Sequence, residues 1–312
     1  MLFIKLLPLV KIIAFGLLFL LAHVIILVLL FLMDVLTFED FENEESNVFR
    51  IIMIAMSVVA TILTIVVANR LARSWKPSLP TLGITASSVG QYTGVGLLIG
   101  GMLILVSFGG VMLASGGRLT FTGFPAEALL YLVVLFVAVS LAEELLFRGY
   151  LLPYLLKHYA TVWAIVLSSV LFAAMHLGND NVSLIGITNI FLAGVLFAQL
   201  RIIYQNLWVP LGVHFIWNYL QGAAFGFSVS GIATESILVP TFDTPSIING
   251  GEFGLEGSII TVFLLVAAII LLTYPPTREK LITYKAFLPG TSLVTAGEET
   301  VVVPHQTEYQ PT

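Results

Sequence analysis

Residues 12–33 read IIAFGLLFLLAHVIILVLLFLM, 22 consecutive positions without a charge when His23 is neutral. Inside a bilayer no water is present to satisfy backbone N–H and C=O groups, so a run of this kind folds as a helix that bonds its own amides. At 1.5 Å of rise per residue, about 20 residues cross a hydrocarbon layer of about 30 Å. The run is longer than the apolar core of a signal peptide and has no small-residue cleavage site, so it reads as a retained span. Seven further stretches approach the same measure: 51–68, 89–114, 127–152, 161–177, 182–203, 208–228 and 257–274. The expected fold is all-α, a polytopic membrane protein of about eight transmembrane helices with the lipid bilayer as its first partner. The composition, 58% hydrophobic and 10% charged, agrees. Cysteine is absent, which excludes disulfides, thiolate nucleophiles and cysteine-ligated metals.

The charges place the spans. Positive residues are retained on the cytoplasmic side, and with the N-terminus inside, Lys5, Lys11, Arg70, Arg73, Lys76, Lys157, Arg278, Lys280 and Lys285 all fall there. Arg148 and Arg201 lie toward the same side. Only Arg50 and Arg118 fall opposite, while loops 34–49 and 229–256 together hold ten acids and no base. Both termini are therefore expected in the cytoplasm, in the plasma membrane if the cell is prokaryotic. Residues 1–124 form a first group of three helices, 125–228 a four-helix core, and 229–312 an external loop, the last helix and a polar tail after Pro275 and Pro276. The third span is rich in glycine, and Gly96, Gly100 and Gly101 would allow close helix contact.

EELLFR, residues 143–148, interrupts this apolar background. A carboxylate in hydrocarbon is costly unless it is paired, neutral or in a wet cavity. Glu144 and Arg148 stand at i and i+4 on one helical face and form a pair. Glu143 projects about 100° away and is left free for chemistry. Two other spans carry polar residues, His176 in the fifth and the i, i+4 pair His214 and Asn218 in the seventh. His23 reads as a packed, hydrogen-bonded histidine. Counted from a turn near 158–160, Glu143 and His176 lie about 21 and 24 Å along antiparallel helices and are level. Counted from a turn near Gln205, His214 is lower, at about 14 Å. That offset implies either an extended start to the seventh span around Trp208 to Pro210, or a slanted cavity open toward the cytoplasm.

A glutamate with two histidines can bind a divalent metal, or the glutamate can act as a general base on water. Both arrangements are hydrolytic. There is no HExxH, Ser168 and Ser169 have no activating spacing to His176, and phosphate loops and basic aromatic patches are missing, so nucleic acid is not a partner. A noncatalytic membrane scaffold or immunity-type protein is the alternative. An ion-coupled transporter would use similar residues but calls for paired broken spans, which the sequence lacks.

EELLFRG at 143–149, FAAMH at 172–176 and HFIWN at 214–218, with NIFLAG at 189–194 between them, resemble the motifs of the CAAX prenyl protease and bacteriocin-processing family, the Rce1-like intramembrane metalloproteases. The similarity covers about 125–220. It implies an intramembrane endopeptidase acting on a membrane-protein or lipidated-peptide substrate. In that resemblance Glu143 activates water beside His176, and His214 and Asn218 form an oxyanion hole or join in metal coordination. Glu144 and Arg148 are the companion pair. The implied cofactor is one divalent metal, zinc first, with Glu143, His176 and His214 as its ligands.

Overall fold

The computed structural model describes residues 2–33, 35, 47–71, 75–243 and 246–273, together with the backbone of 291–296 and 299–304. Eight helices run through the described residues: α1 (Leu2–Leu32), α2 (Asn47–Leu71), α3 (Val89–Ser115), α4 (Ala126–His158), α5 (Thr161–Met175), α6 (Leu184–Tyr204), α7 (Trp208–Tyr219) and α8 (Ile259–Leu272). The fold is all-α. Three helices, α3, α4 and α6, are long and apolar enough to cross a membrane, and parts of α1 and α2 and the whole of α5 and α8 form shorter apolar helices. The acidic loop 36–46, the basic residues from 278 to 285 and His305 lie outside the described residues.

The apolar character continues on the outside of the bundle. Leu98, Met102, Leu105, Val106 and Leu113 of α3 are all more than half exposed, at helical spacing along one face. Water would penalise such a stripe and lipid favours it. The centre belongs to α6 and the C-terminal part of α4, where Leu152, Leu155, Ala198 and Leu200 are fully buried.

Short turns at 159–160 and 205–207 make α4 and α5, and α6 and α7, antiparallel hairpins. The bundle therefore has a turn end and, opposite, a loop end where 176–183 and 225–258 lie. Two antiparallel pairs of short strands accompany the helices. β1 (Arg118–Phe121) pairs with β2 (Leu238–Thr241) at the loop end, Arg118 opposite Thr241, and β3 (Thr291–Ala296) pairs with β4 (Glu299–Pro304).

Close packing of α3 on α7 sets the position of the residues α7 carries. A Cβ on Gly96 would collide with Val209 O, and one on Gly100 would lie 2.7 Å from Val213 O, so only glycine lets the two backbones approach this closely. Gly101 faces open space. Two of the three glycines expected at a contact are thus at one.

The 225–258 loop folds back onto α7. Gly254 adopts φ +90°, where any Cβ would meet Ser228 O, and this turn brings Glu256 inward. Gln221 on α7's C-terminal extension donates to Ser228 O and to the Glu256 carboxylate, and Asn189 of α6 donates to the carbonyls of Glu256 and Ser258.

Candidate active site

Helix α4 is not regular throughout. After Ala126–Glu144 it widens into a π-helical stretch, Leu145–Leu151, in which Leu152 N–H bonds to Phe147 O, and it then resumes as Leu152–His158. Pro153 has no N–H to continue an α-helical ladder, and the irregular stretch lies immediately before it. A second π-helical stretch, Leu220–Ala224, follows Asn218. Such turns are rare and concentrate where side chains are re-aimed for function.

The two adjacent glutamates face different surroundings. The Glu144 side chain is fully buried, and its Oε1 accepts Arg148 Nη1 at 2.9 Å. Arg148 also donates to Gly194 O at 3.3 Å, with its guanidinium carbon 4.2 Å from the centre of the Phe172 ring and 5.1 Å from that of Phe197. Gly194 has no side chain, which lets α6 come so close to Ser169 that a Cβ there would sit 2.9 Å from it. The buried cation thus has a carboxylate, a carbonyl and two aromatic faces around it. Glu143, 22% exposed, lines a cavity of about 300 Å³ instead.

His214 Nδ1 donates to the same Glu144 Oε1 at 3.1 Å, and its ring stacks on Phe197 at 5.2 Å. His176 Nδ1 donates to Phe172 O at 2.9 Å. Each acceptor is a carboxylate or a carbonyl, so each imidazole in its neutral form holds its proton on Nδ1 and presents Nε2 as a lone pair. Both Nε2 atoms lie 3.9 Å from Glu143 Oε2, which is buried and has no hydrogen-bond partner among the described residues. Three acceptors converge with no donor between them. Asn218 lines the cavity one helical turn beyond His214.

The level of Glu143 and His176 agrees with the residue count, although α5 stops at Met175 and His176 is its C-terminal cap rather than a residue deep within it. Its ring satisfies a carbonyl that the helix end leaves open. The expected low position of His214 is corrected. Helix α7 begins regularly at Trp208, with Asn206 Oδ1 accepting Trp208 and Val209 N–H, and no extended start is present. The turn before it is itself buried, Asn206 at 2% and Leu207 at 0% exposure, because the 75–85 segment packs over it: Leu207 N–H bonds to Gly83 O and Arg201 to Thr81 O. Counting from the bilayer surface therefore underestimates the depth of His214. The cavity reaches toward the loop end rather than the turn end. Asn179, Ser230, Ile232 and Thr234 of the loop end line it, and the turns near Lys157 and Arg201 do not. His23 is packed and bonded as expected, to Phe19 O at 3.0 Å.

The donor set of Glu143, His176 and His214 is of a type that zinc accepts, and each Nδ1 has the kind of partner that orients a metal-binding histidine. The spacing does not close around an ion. Ligands 2.0–2.1 Å from tetrahedral zinc stand about 3.4 Å apart, whereas the separations here are 3.9 Å. Among the described residues no three His, Asp or Glu side chains form a metal group. The same gap suits water, which at about 2.8 Å from both Glu143 Oε2 and one Nε2 would subtend an angle of roughly 90°.

One cavity residue escaped the sequence reading, which counted Glu256 only as part of an acidic loop. It is buried, it lines the same cavity, and its Oε2 accepts Gln221 Nε2 and Ser230 N–H. Burial pushes its carboxyl above the usual carboxylate range, against the pull of the Gln221 amide, of backbone N–H groups and of nearby His176.

No curated protein and no solved structure matches the chain. Residues 125–220, the segment that carries Glu143, Glu144, Arg148, His176, His214 and Asn218, match the family model described as Type II CAAX prenyl endopeptidase Rce1-like.

Proposed function

We propose that this protein is an intramembrane endopeptidase that hydrolyses a peptide bond of a membrane-embedded or lipidated substrate, with Glu143 as the base that activates water. One observation carries the reading: the unpartnered Glu143 Oε2 faces two imidazole lone pairs at equal distance inside an apolar cavity. A water there donates its protons to two of the three acceptors. Glu143 takes one proton as the oxygen attacks the substrate carbonyl, and returns it to the departing amine.

The oxyanion then needs donors. His214 offers a lone pair in the starting state, so Asn218 Nδ2 supplies the first hydrogen bond. His214 becomes a donor at Nε2 only while the proton taken from water rests on it instead of on Glu143, with its Nδ1–H held by Glu144. The surrounding Leu103, Val139, Ile190 and Leu265 exclude bulk water and strengthen these bonds. The lysine and arginine asymmetry supports cytoplasmic termini, which would direct the cavity to the opposite side.

The test uses purified full-length protein in detergent and fluorogenic transmembrane peptides, with and without a lipid group. Glu143→Gln should abolish cleavage at an unchanged melting temperature. Cleavage at the wild-type rate by that variant would overturn the proposal. Cleavage that survives a chelator agrees with the open spacing, whereas loss that zinc restores would mean that the three donors close by about 0.5 Å around an ion.

A further inference from the structure

Glu256 Oε2 accepts bonds from two other residues, Gln221 Nε2 and Ser230 N–H, so both end on one carboxylate oxygen. A glutamine at this position could accept them equally well through its amide oxygen, so stapling the loop to α7 does not account for a charge. A buried carboxylate without a cation is costly, and the residues lining this cavity include two glutamates, two histidines and no lysine or arginine. Arg148 is already engaged with Glu144.

Two further acceptors line the same cavity. Asn189 is 1% exposed, its amide nitrogen is used by the carbonyls of Glu256 and Ser258, and its Oδ1 has no partner. Thr234 Oγ1 is also buried without a partner. Much of the remaining wall is apolar, with Ile190, Val229, Ile232 and Leu265 among its residues, and His176, Asn179 and Ser230 add polar groups to it. A largely apolar cavity that holds a carboxylate and two neutral acceptors complements a side chain with an apolar stem and three donors at its tip, which is lysine. Arginine, with five donors fixed in a plane, would call for a flat bidentate partner.

We propose that Glu256, Asn189 and Thr234 form a specificity subsite that receives the ammonium group of a substrate lysine flanking the scissile bond. The inference rests on the peptidase reading for its substrate class, while binding can be measured without turnover. Glu256 lies outside the matched segment, so the subsite would be a property the 225–258 loop adds to the core.

The experiment takes full-length protein carrying Glu143→Gln, so that no peptide is consumed, and measures binding by fluorescence anisotropy. The labelled transmembrane peptides differ at one position, lysine or norleucine. The lysine peptide should bind about tenfold or more tightly than its norleucine counterpart. Adding Glu256→Gln should bring the ratio close to one, Glu256→Asp should keep most of it, and Thr234→Val should lower it several-fold. Norleucine binding in the same sample reports correctly folded protein, and if Glu256→Gln loses it, the Thr234→Val ratio decides. An unchanged ratio in a folded Glu256→Gln variant, or equal binding of both peptides without that change, would overturn the subsite. Selective lysine binding together with no cleavage by the protein that keeps Glu143 would sink the peptidase reading and leave the subsite standing. Cleavage without discrimination would do the reverse.

Discussion

Glu144 Oε1 accepts the Nδ1–H of His214 at 3.1 Å while also holding Arg148 at 2.9 Å. One buried oxygen thus joins α4 to α7, neutralises a guanidinium and decides which nitrogen of His214 faces Glu143. Stability and chemistry are coupled at this atom, whereas Glu143, one residue earlier, lines the cavity and makes no ion pair with Arg148.

The two glutamates should therefore separate in thermal melts. Glu144→Ala leaves the Arg148 charge uncompensated in a fully buried site and is expected to cost about 3–5 kcal/mol. Glu143→Gln should melt as wild type. Equal losses at both positions would make Glu143 structural too.

Asn218→Ala should lower kcat by about 10²–10³-fold with little change in KM, since its amide is assigned to charge that develops after attack. Steady-state kinetics on a fluorogenic peptide would read this. A pure KM effect would instead place Asn218 in substrate binding.

The glycine contacts give a contrast within one helix. Gly100→Ala puts a methyl group 2.7 Å from Val213 O and 2.5 Å from an Ile216 side-chain carbon, so α3 and α7 must part. The expected cost is about 1–3 kcal/mol, together with reduced activity because His214 and Asn218 shift with α7. Gly101→Ala meets nothing and should stay within about 0.5 kcal/mol. Urea or thermal denaturation of both variants provides the comparison.

Glu256 predicts a pH dependence of stability. Its folded carboxyl holds a proton above the ordinary value of 4.5, so between that value and its raised folded value the folded state binds more protons than the unfolded one. Stability contributed by the neutral group is complete below about 4.5 and is lost as pH rises through the folded value. Melting temperatures of wild type relative to Glu256→Gln should fall with increasing pH across this window. A rising difference would mean that the carboxylate is ionised and well solvated in the folded protein.

The absence of cysteine allows direct mapping of topology. Glu252→Cys, exposed on the 225–258 loop, should react with an impermeant thiol reagent from outside intact cells, and Lys76→Cys only after permeabilisation. The opposite pattern would reverse both the termini and the side toward which the cavity is directed.

Lipid made much of the fold legible in the sequence: a solvent that offers no hydrogen bonds leaves long uncharged runs little choice but helix, and all eight stretches contain one. The level of Glu143 and His176 was also readable, because both hang from one two-residue turn and helical rise is constant. The pairing of Glu144 with Arg148 needed only i, i+4 spacing. Tertiary structure alone decided the rest. His214 is level with its partners because a distant segment, 75–85, buries the turn beneath it, and residue counting assumes a turn at the surface. The tautomers of both histidines depend on acceptors that folding supplies. Glu256 enters the cavity through contacts with Asn189 and Gln221, 67 and 35 residues away in sequence, and no local pattern encodes contacts that form only when the loop closes over the bundle.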